Sequence, residues 1–219
     1  MFHDKNLVFA KRSGVWSRYS HEEIIDRISD SSNDLSDKTR KAIYLSSLDV
    51  SFARTGGCVV HLNKNHDGSI LRLINEADIL IEDYYNQKYE QSQDLLIEDP
   101  NKLEEEHLSY EEFLQSPKCS KVSNLRCMIG GRKFGDLGRK LRQELLSVDG
   151  ATVIDYDGDI VAVGAIIMIE NGSFSGGRLA AAKTLSKHGV SLKISEDGQI
   201  LGFKYDKHKM KSAPIFMLG

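Results

Sequence analysis

Three short motifs in the second half of the chain carry residue types that suit phosphate and metal binding. They are Asp149-Gly150-Ala151, then Ser175-Gly176-Gly177-Arg178, then Ser195-Glu196-Asp197-Gly198. Backbone N–H groups at a helix N-terminus attract phosphate, glycines permit its close approach, and arginine offers a planar charged fork. Aspartate and glutamate supply the hard oxygen ligands that Mg²⁺ prefers. Together the motifs predict a site for a nucleotide with a divalent metal.

Each motif also has a purely structural interpretation. Asp149-Gly150 is a common turn, Gly176-Gly177 is a possible hinge, and Ser195-Glu196-Asp197-Gly198 suits a plain hairpin. Short motifs of this kind have many chance matches, so each is weak alone. Their order and their setting strengthen the functional interpretation. The first precedes an apolar strand-like run, the second opens a helical pattern, and the third follows another strand-like run.

This stretch resembles the diadenylate cyclase domain, the nucleotide-binding domain of DisA-type DNA integrity scanning proteins. That family carries a DGA motif, an Arg-His-Arg motif at a helix start, and an acidic Ser-Glu-Glu-like turn. The counterparts here are Asp149-Gly150-Ala151, Arg178-Leu179-Ala180 and Ser195-Glu196-Asp197. The resemblance extends back to residues 42–62 and leaves an unmatched acidic insertion at about residues 63–122. It departs at Val148, where cyclase members often have a metal-binding histidine.

The resemblance and the residue chemistry together assign roles to the candidate residues. Asp149 is the expected catalytic residue, and a divalent metal (Mg²⁺ or Mn²⁺) is expected on three carboxylates. The nucleotide is expected on the glycine-arginine helix start and its neighbours. The metal ligands are then Asp149, Glu196 and Asp197, and the nucleotide-binding residues are Gly150, Ala151, Gly176, Gly177, Arg178 and Ser195.

Two classes of function follow from these roles. In one, the chain binds ATP or a related nucleotide or dinucleotide as a sensor or regulatory module. In the other, it is a diadenylate cyclase that joins two ATP molecules into cyclic di-AMP, with a divalent metal at a dimer interface. Leu179 and Ala180 replace two residues of the family's Arg-His-Arg motif and so favour the first. A third, structural interpretation treats the glycines as packing devices.

The composition limits the partners and the location that we expect. The net charge is −3, with 40% hydrophobic and 28% charged residues, which gives no overall attraction to nucleic acid or membranes. The three cysteines lack CxxC spacing, and we interpret them as reduced thiols: Cys58, Cys119 and Cys127. The start of the chain shows no basic and then apolar signal pattern. We therefore expect a cytoplasmic protein that binds a nucleotide, with no membrane or direct nucleic-acid contact and with possible homo-oligomers.

Hydrophobic periodicity predicts an α/β (α+β) fold, in which helices flank a central mixed, largely antiparallel β-sheet. We divide the chain into an N-terminal hairpin and short helix (1–36) and a domain similar to diadenylate cyclases (37–219). Ser20 and Glu23 form a capping box for the short helix, and Asp136 is expected to cap another. Strands are predicted at 7–10, 15–19, 58–62, 151–155, 160–169, 190–194 and 199–205, a helix at 42–54, and an apolar docking tail at 214–218.

Two neighbouring segments carry opposite charge. Residues 76–113 hold 13 acidic residues and two lysines, whereas residues 121–142 hold seven basic residues and one acid. We interpret the acidic segment as a solvated helix face or loop; the alternative is a site for a metal or a basic partner. The basic block has three interpretations: it pairs with the acidic segment, binds a nucleotide phosphate, or is simply solvated.

Overall fold

The structure is a computed structural model, and it describes residues 3–4, 7–12, 14–28, 37–65, 68–81, 120–169 and 177–219. In these residues nine strands form one sheet with the order β1-β2-β9-β8-β7-β4-β5-β6, and β3 pairs with β2. The β4–β5 pairing is parallel and the other pairings are antiparallel. The strands are β1 His3–Asp4, β2 Leu7–Arg12, β3 Val15–Ser20, β4 Gly57–Leu62, β5 Ala151–Ile154, β6 Ile160–Ala165, β7 Gly189–Ile194, β8 Ile200–Asp206 and β9 Lys211–Leu218.

Helices cover both faces of this sheet, which confirms the predicted fold class. One face carries α1, α2, α3 and α4, and the other carries α5 together with short 3₁₀ turns between residues 69 and 78. Their bounds are α1 His21–Ile25, α2 Asp37–Ala53, α3 Ser120–Ile129, α4 Arg139–Ser147 and α5 Gly177–Leu185. The predicted capping box is present: the Glu23 backbone N–H donates to Ser20 Oγ at 3.1 Å, and the Ser20 N–H donates to Glu23 Oε2 at 2.7 Å.

The alternation of side chains along the central strand divides the core into two layers. In β4, Val59 lies in the layer under α2 and α4, whereas Cys58 and Val60 lie in the layer under α5. His61 points toward the first layer, where Nδ1 lies 2.9 Å from the Ile28 carbonyl oxygen. Burial lowers the pKa of His61, so the ring is held neutral.

Two sequence predictions need correction, and the structure shows where the predicted apolar tail docks. The strand predicted at 160–169 ends at Ala165, because Gly164 takes a left-handed φ of 60° and turns the chain; Ile167 forms only an isolated bridge. Asp136 does not cap α4: it ends a 3₁₀ turn, Gly138 is the N-cap, and Asp136 accepts a hydrogen bond from Lys38. The apolar tail is β9, which pairs with β8 and β2.

Candidate functional site

The sheet topology brings the three motifs to one edge of the sheet. Because β4 and β5 are parallel and β7 is antiparallel to β4, the starts of β4 and β5 lie beside the end of β7. Gly57 is paired with Ile194, so the turn after β7 lies next to the turn before β4. The α5 helix begins at this edge as well, as the contact of Arg178 with Glu196 shows. The resulting space is an open cleft of about 620 Å³, which we call the edge cleft.

Arg178 is the centre of the charged groups in the edge cleft. Its Nη1 donates to Glu196 Oε1 at 2.7 Å, and its Nη2 lies 3.8 Å from Asp149 Oδ1. The arginine side chain is 29% exposed, whereas those of Glu196 and Asp149 are 67% and 90% exposed. Its Nε is buried and has no hydrogen-bond partner among the described residues. The guanidinium is therefore fixed by the protein, while both carboxylates remain accessible to solvent.

Glycines at the start of β4 make room for this arginine. A Cβ at Gly56, whose φ is 70°, would lie 2.6 Å from Arg178 Nη1 and 3.2 Å from Glu196 Cγ. A Cβ at Gly57 would overlap the Leu146 carbonyl oxygen near the end of α4. Only a chain without side chains at both positions lets α4, β4 and the guanidinium approach so closely.

The remaining lining of the edge cleft is polar and carries a second cation. Gly177, Leu179, Lys193, Ser195 and Asp197 line it beside the charged groups already named. The Lys193 ammonium donates to Ser195 Oγ, which holds the cation at the mouth of the cleft. The Asp197 carboxylate accepts from the Gln199 N–H at 3.2 Å and so also stabilises the β7–β8 turn. The acidic motif is therefore both a hairpin turn and part of the cleft.

Two of the predicted nucleotide-binding residues are packing residues in this structure. Gly150 has a φ of 104°, and a Cβ there would lie 2.5 Å from the Gly164 backbone. Ala151 is fully buried in the layer under α5. Neither residue lines the edge cleft. Their role is to let β5 start in close contact with β6, which places Asp149 at the edge. Gly176 lies outside the described residues.

Cys58 lies beneath the edge cleft, beside Lys193 in the pairing of β4 with β7. The thiol is 1% exposed, and burial raises its pKa to about 12, with the nearby Arg178 guanidinium acting in the opposite direction. A thiol with so high a pKa is protonated and unreactive at neutral pH. It is a packing residue, which agrees with the sequence interpretation of a reduced cysteine.

The charged groups behind the edge cleft are structural. Lys121 donates to Asp78 Oδ1 at 2.5 Å and to the Gly164 carbonyl oxygen at 3.1 Å, and the Ile166 N–H donates to Asp78 Oδ2 at 3.2 Å. Lys121 belongs to the basic block and Asp78 to the acidic segment, so at this point the two segments pair. Farther along the block, Arg132 donates to backbone carbonyls of α3 and Arg139 binds Asp49 through two hydrogen bonds.

The fit of a divalent metal depends on what else is bound. Within the part of the chain that the structure describes, no group of three or more His, Cys, Asp or Glu side chains has metal-binding geometry. Asp149 and Glu196 both contact Arg178, so a cation would compete with the guanidinium. Mg²⁺ is commonly held by one or two carboxylates together with substrate phosphates. These residues therefore suit a metal only when a nucleotide supplies the other ligands.

Sequence reasoning missed Lys193 and Gly56. The signal for Lys193 was a charged residue in a largely apolar strand, two positions before Ser195, where the acidic motif begins. No protein-family model matches the chain, and a search of curated proteins gives no match. None of the helices that the structure describes has the length and apolar character needed to cross a lipid bilayer.

Proposed function

We propose that the edge cleft binds ATP or a related nucleotide or dinucleotide, and that the chain acts as a sensor or regulatory module. The observation that carries the proposal is the convergence of Arg178, Lys193 and Ser195 with the start of α5 in one open cleft. These groups are all donors: a guanidinium, an ammonium, a hydroxyl and the N–H groups of a helix start. Phosphate oxygens are acceptors and suit such a set.

The contacts of Arg178 favour binding without turnover. In the structure the guanidinium is neutralised by Glu196 at 2.7 Å and approached by Asp149 at 3.8 Å. A bound phosphate would replace these carboxylates on the arginine and release them toward solvent. Such an exchange of ion-pair partners changes the charge and position of the turn that carries Glu196, which is what a sensor requires.

The alternative is the diadenylate cyclase. It is favoured by the proximity of Asp149 and Glu196, since two carboxylates and a nucleotide phosphate would hold a divalent metal. The metal would supply charge stabilisation for nucleotidyl transfer. Leu179 lines the cleft where the family has a polar or charged residue, and Ala180 is buried. For these reasons we expect little or no cyclic di-AMP when the purified chain is incubated with ATP and Mn²⁺ or Mg²⁺.

Native mass spectrometry of the chain incubated with ATP tests the proposed function. We expect a one-nucleotide adduct in the wild type, and its loss in Arg178→Ala. Arg139→Ala is the matched control, because Arg139 also pairs with a carboxylate but lies on α4 away from the cleft. An adduct of equal abundance in Arg178→Ala would contradict the proposal. Cyclic di-AMP formed by the wild type and abolished in Asp149→Asn would support the cyclase instead.

A further inference from the structure

A second group of cations lies on the face that carries α5. Arg72, Lys183, Lys187 and Lys211 come from three different places in the chain, and all four residues are exposed. They line two neighbouring clefts of about 470 and 440 Å³. Thr184 and Lys187 line both clefts, so the two form one continuous surface. We call it the basic surface.

The basic surface lies at the opposite end of α5 from the edge cleft. The chain leaves α5 at Leu185 and enters β7 at Gly189, the end of that strand remote from Glu196. The Asn63 N–H, just after β4, donates to the His188 carbonyl oxygen at 2.9 Å, and the Tyr205 N–H donates to the Ser186 carbonyl oxygen at 3.2 Å. The surface is thus a separate feature, and it does not depend on the proposed nucleotide site.

The charges of the basic surface are not neutralised by the described residues. No aspartate or glutamate lines either cleft, and none of the four cations forms a salt bridge with the described part of the chain. Lysines near a helix C-terminus also stabilise the helix dipole, which accounts for Lys183 and Lys187. It does not account for Arg72 and Lys211, which belong to other elements.

The other residues that line the basic surface add hydroxyls and the aromatic ring of Tyr205. Ser69, Thr184 and Ser212 bring side-chain oxygens beside the cations, and the Ser212 Oγ is buried without a hydrogen-bond partner in the described residues. Tyr205 is half-buried and lines the cleft beside Lys211, with its hydroxyl 3.8 Å from Met210 Sδ. Lysine, arginine and hydroxyl groups contact phosphates, and an aromatic ring offers a face on which a base can stack.

We infer that the basic surface binds single-stranded nucleic acid. A groove of unpaired cations with an aromatic ring is the arrangement that such strands require, and it needs no base-specific contact. The charge distribution agrees. Residues 76–113 hold 13 of the 32 acidic residues and two of the 29 basic residues, so the rest of the chain has a net charge of +8. The net charge of the whole chain is only −3, and from it we expected no direct nucleic-acid contact. That net charge does not show how the acidic and basic residues are separated.

Fluorescence anisotropy with a fluorescein-labelled 20-nucleotide oligo(dT) and the full chain tests this inference. We expect binding that weakens about 50-fold between 50 and 200 mM salt, as neutralisation of about four phosphates predicts. Lys183→Gln/Lys187→Gln should weaken binding about tenfold or more and should reduce the slope of log affinity against log salt. Tyr205→Leu should weaken binding roughly fivefold or more at every salt concentration, because stacking is not ionic.

The matched control is Lys41→Gln/Lys140→Gln, which removes the same charge from the α2 and α4 face. Both lysines are exposed, and among the described residues the salt-bridge partner of Lys140 is Glu144, one turn along the same helix. Circular dichroism confirms that each variant is folded. The inference is overturned if the control loses as much affinity as the test variant, or if ATP displaces the oligonucleotide. It is also overturned if a duplex of the same length, or poly-glutamate of equal charge, binds as tightly as oligo(dT).

Discussion

The two ends of α5 use the same kinds of cation in different ways. At its start, Arg178 is held by Glu196 and approached by Asp149, so the cation is paired and fixed in place. At its end, Lys183 and Lys187 have no acidic partner among the described residues and extend into solvent. A fixed arginine in a mixed-charge cleft suits selection of one small anion, whereas unpaired lysines on an open surface suit a long polyanion.

The difference teaches that net charge is a poor guide to the partners of this chain. The edge cleft contains three carboxylates and two cations, yet its donors point to a phosphate ligand. The lining of the basic surface includes lysine and arginine but no aspartate or glutamate, yet the net charge of the whole chain is −3. The sheet topology decides which charges meet, because it gathers residues that lie far apart in the sequence.

The largest effect, on the free energy of unfolding, is expected from substitution of the two glycines that pack closely at the two ends of the central strand β4. Gly57→Ala would force a Cβ into the Leu146 carbonyl oxygen at the cleft end, and Gly189→Ala would force one into the His61 carbonyl oxygen at the other end. Both contacted atoms belong to the backbone, which cannot move aside as the end of a flexible side chain can. We expect each substitution to lower the free energy of unfolding by about 1–3 kcal/mol or more, measured by urea denaturation.

Gly177→Ala is the control for these substitutions. A Cβ at Gly177 meets nothing within 4 Å, and the residue is the first of α5. Alanine there should leave the free energy of unfolding unchanged or slightly raised. Equal destabilisation by all three substitutions would mean that close backbone approach is not what fixes the ends of β4.

A smaller effect is the pH dependence of stability that we expect from Cys58, which lies beneath the edge cleft. Burial raises the pKa of its thiol from 9.0 to about 12, so above pH 9 the folded chain keeps a proton that the unfolded chain releases. Stability from this group is complete below pH 9 and is lost as the pH rises toward 12. At pH 10 the wild type should lose on the order of 1 kcal/mol more than Cys58→Ala, relative to pH 8.

Denaturation curves at pH 8, 9 and 10 measure this effect, with Cys127→Ala as the control. Cys127 is exposed, so Cys127→Ala controls for the replacement of a thiol outside the core. The same pH dependence in Cys58→Ala and in the wild type would contradict burial as the source of the shift.

The smallest effect distinguishes the two roles of the acidic turn. If Glu196 competes with phosphate for Arg178, then Glu196→Gln should strengthen ATP binding by roughly twofold to fivefold, the size of an exposed ion pair. Asp149→Asn should do less, because its carboxylate is 3.8 Å from the guanidinium. If these carboxylates instead hold a metal, both variants should weaken ATP binding in the presence of Mg²⁺. Calorimetry with Mg²⁺ and with EDTA separates the outcomes.

Local patterns predicted those parts of the fold that local interactions determine. The capping box of Ser20 and Glu23 is confirmed. The helix predicted at 42–54 is present as α2, which begins earlier, at Asp37, and the strands predicted at 151–155 and 160–169 pair as β5 and β6. The strand β9 was taken only for a docking tail, because Pro214 and a basic start obscure its strand pattern. It pairs with the adjacent strand β8 and with the distant strand β2. The extent of β6 was wrong because a left-handed glycine cannot be recognised from hydrophobicity alone.

The sequence predicted which residues form the candidate site better than it predicted the contacts between them. The sequence indicated Asp149, Arg178 and Glu196, and the structure brings all three together. It could not show that the arginine pairs with both carboxylates, because that contact depends on the parallel pairing of β4 and β5. It also assigned Gly150 to nucleotide binding; the structure shows that this glycine packs tightly against Gly164, and its ligand role stays a prediction.

The most direct test of the central claim is a calorimetric titration of ATP into the wild type, Arg178→Ala and Lys183→Gln/Lys187→Gln. We predict that Arg178→Ala weakens ATP binding roughly 10- to 100-fold. This is the change in affinity that corresponds to the loss of a charge-assisted hydrogen bond of about 1.5–3 kcal/mol. The lysine variant should bind ATP as the wild type does. An Arg178→Ala variant that is folded and binds ATP with unchanged affinity would contradict a nucleotide site in the edge cleft.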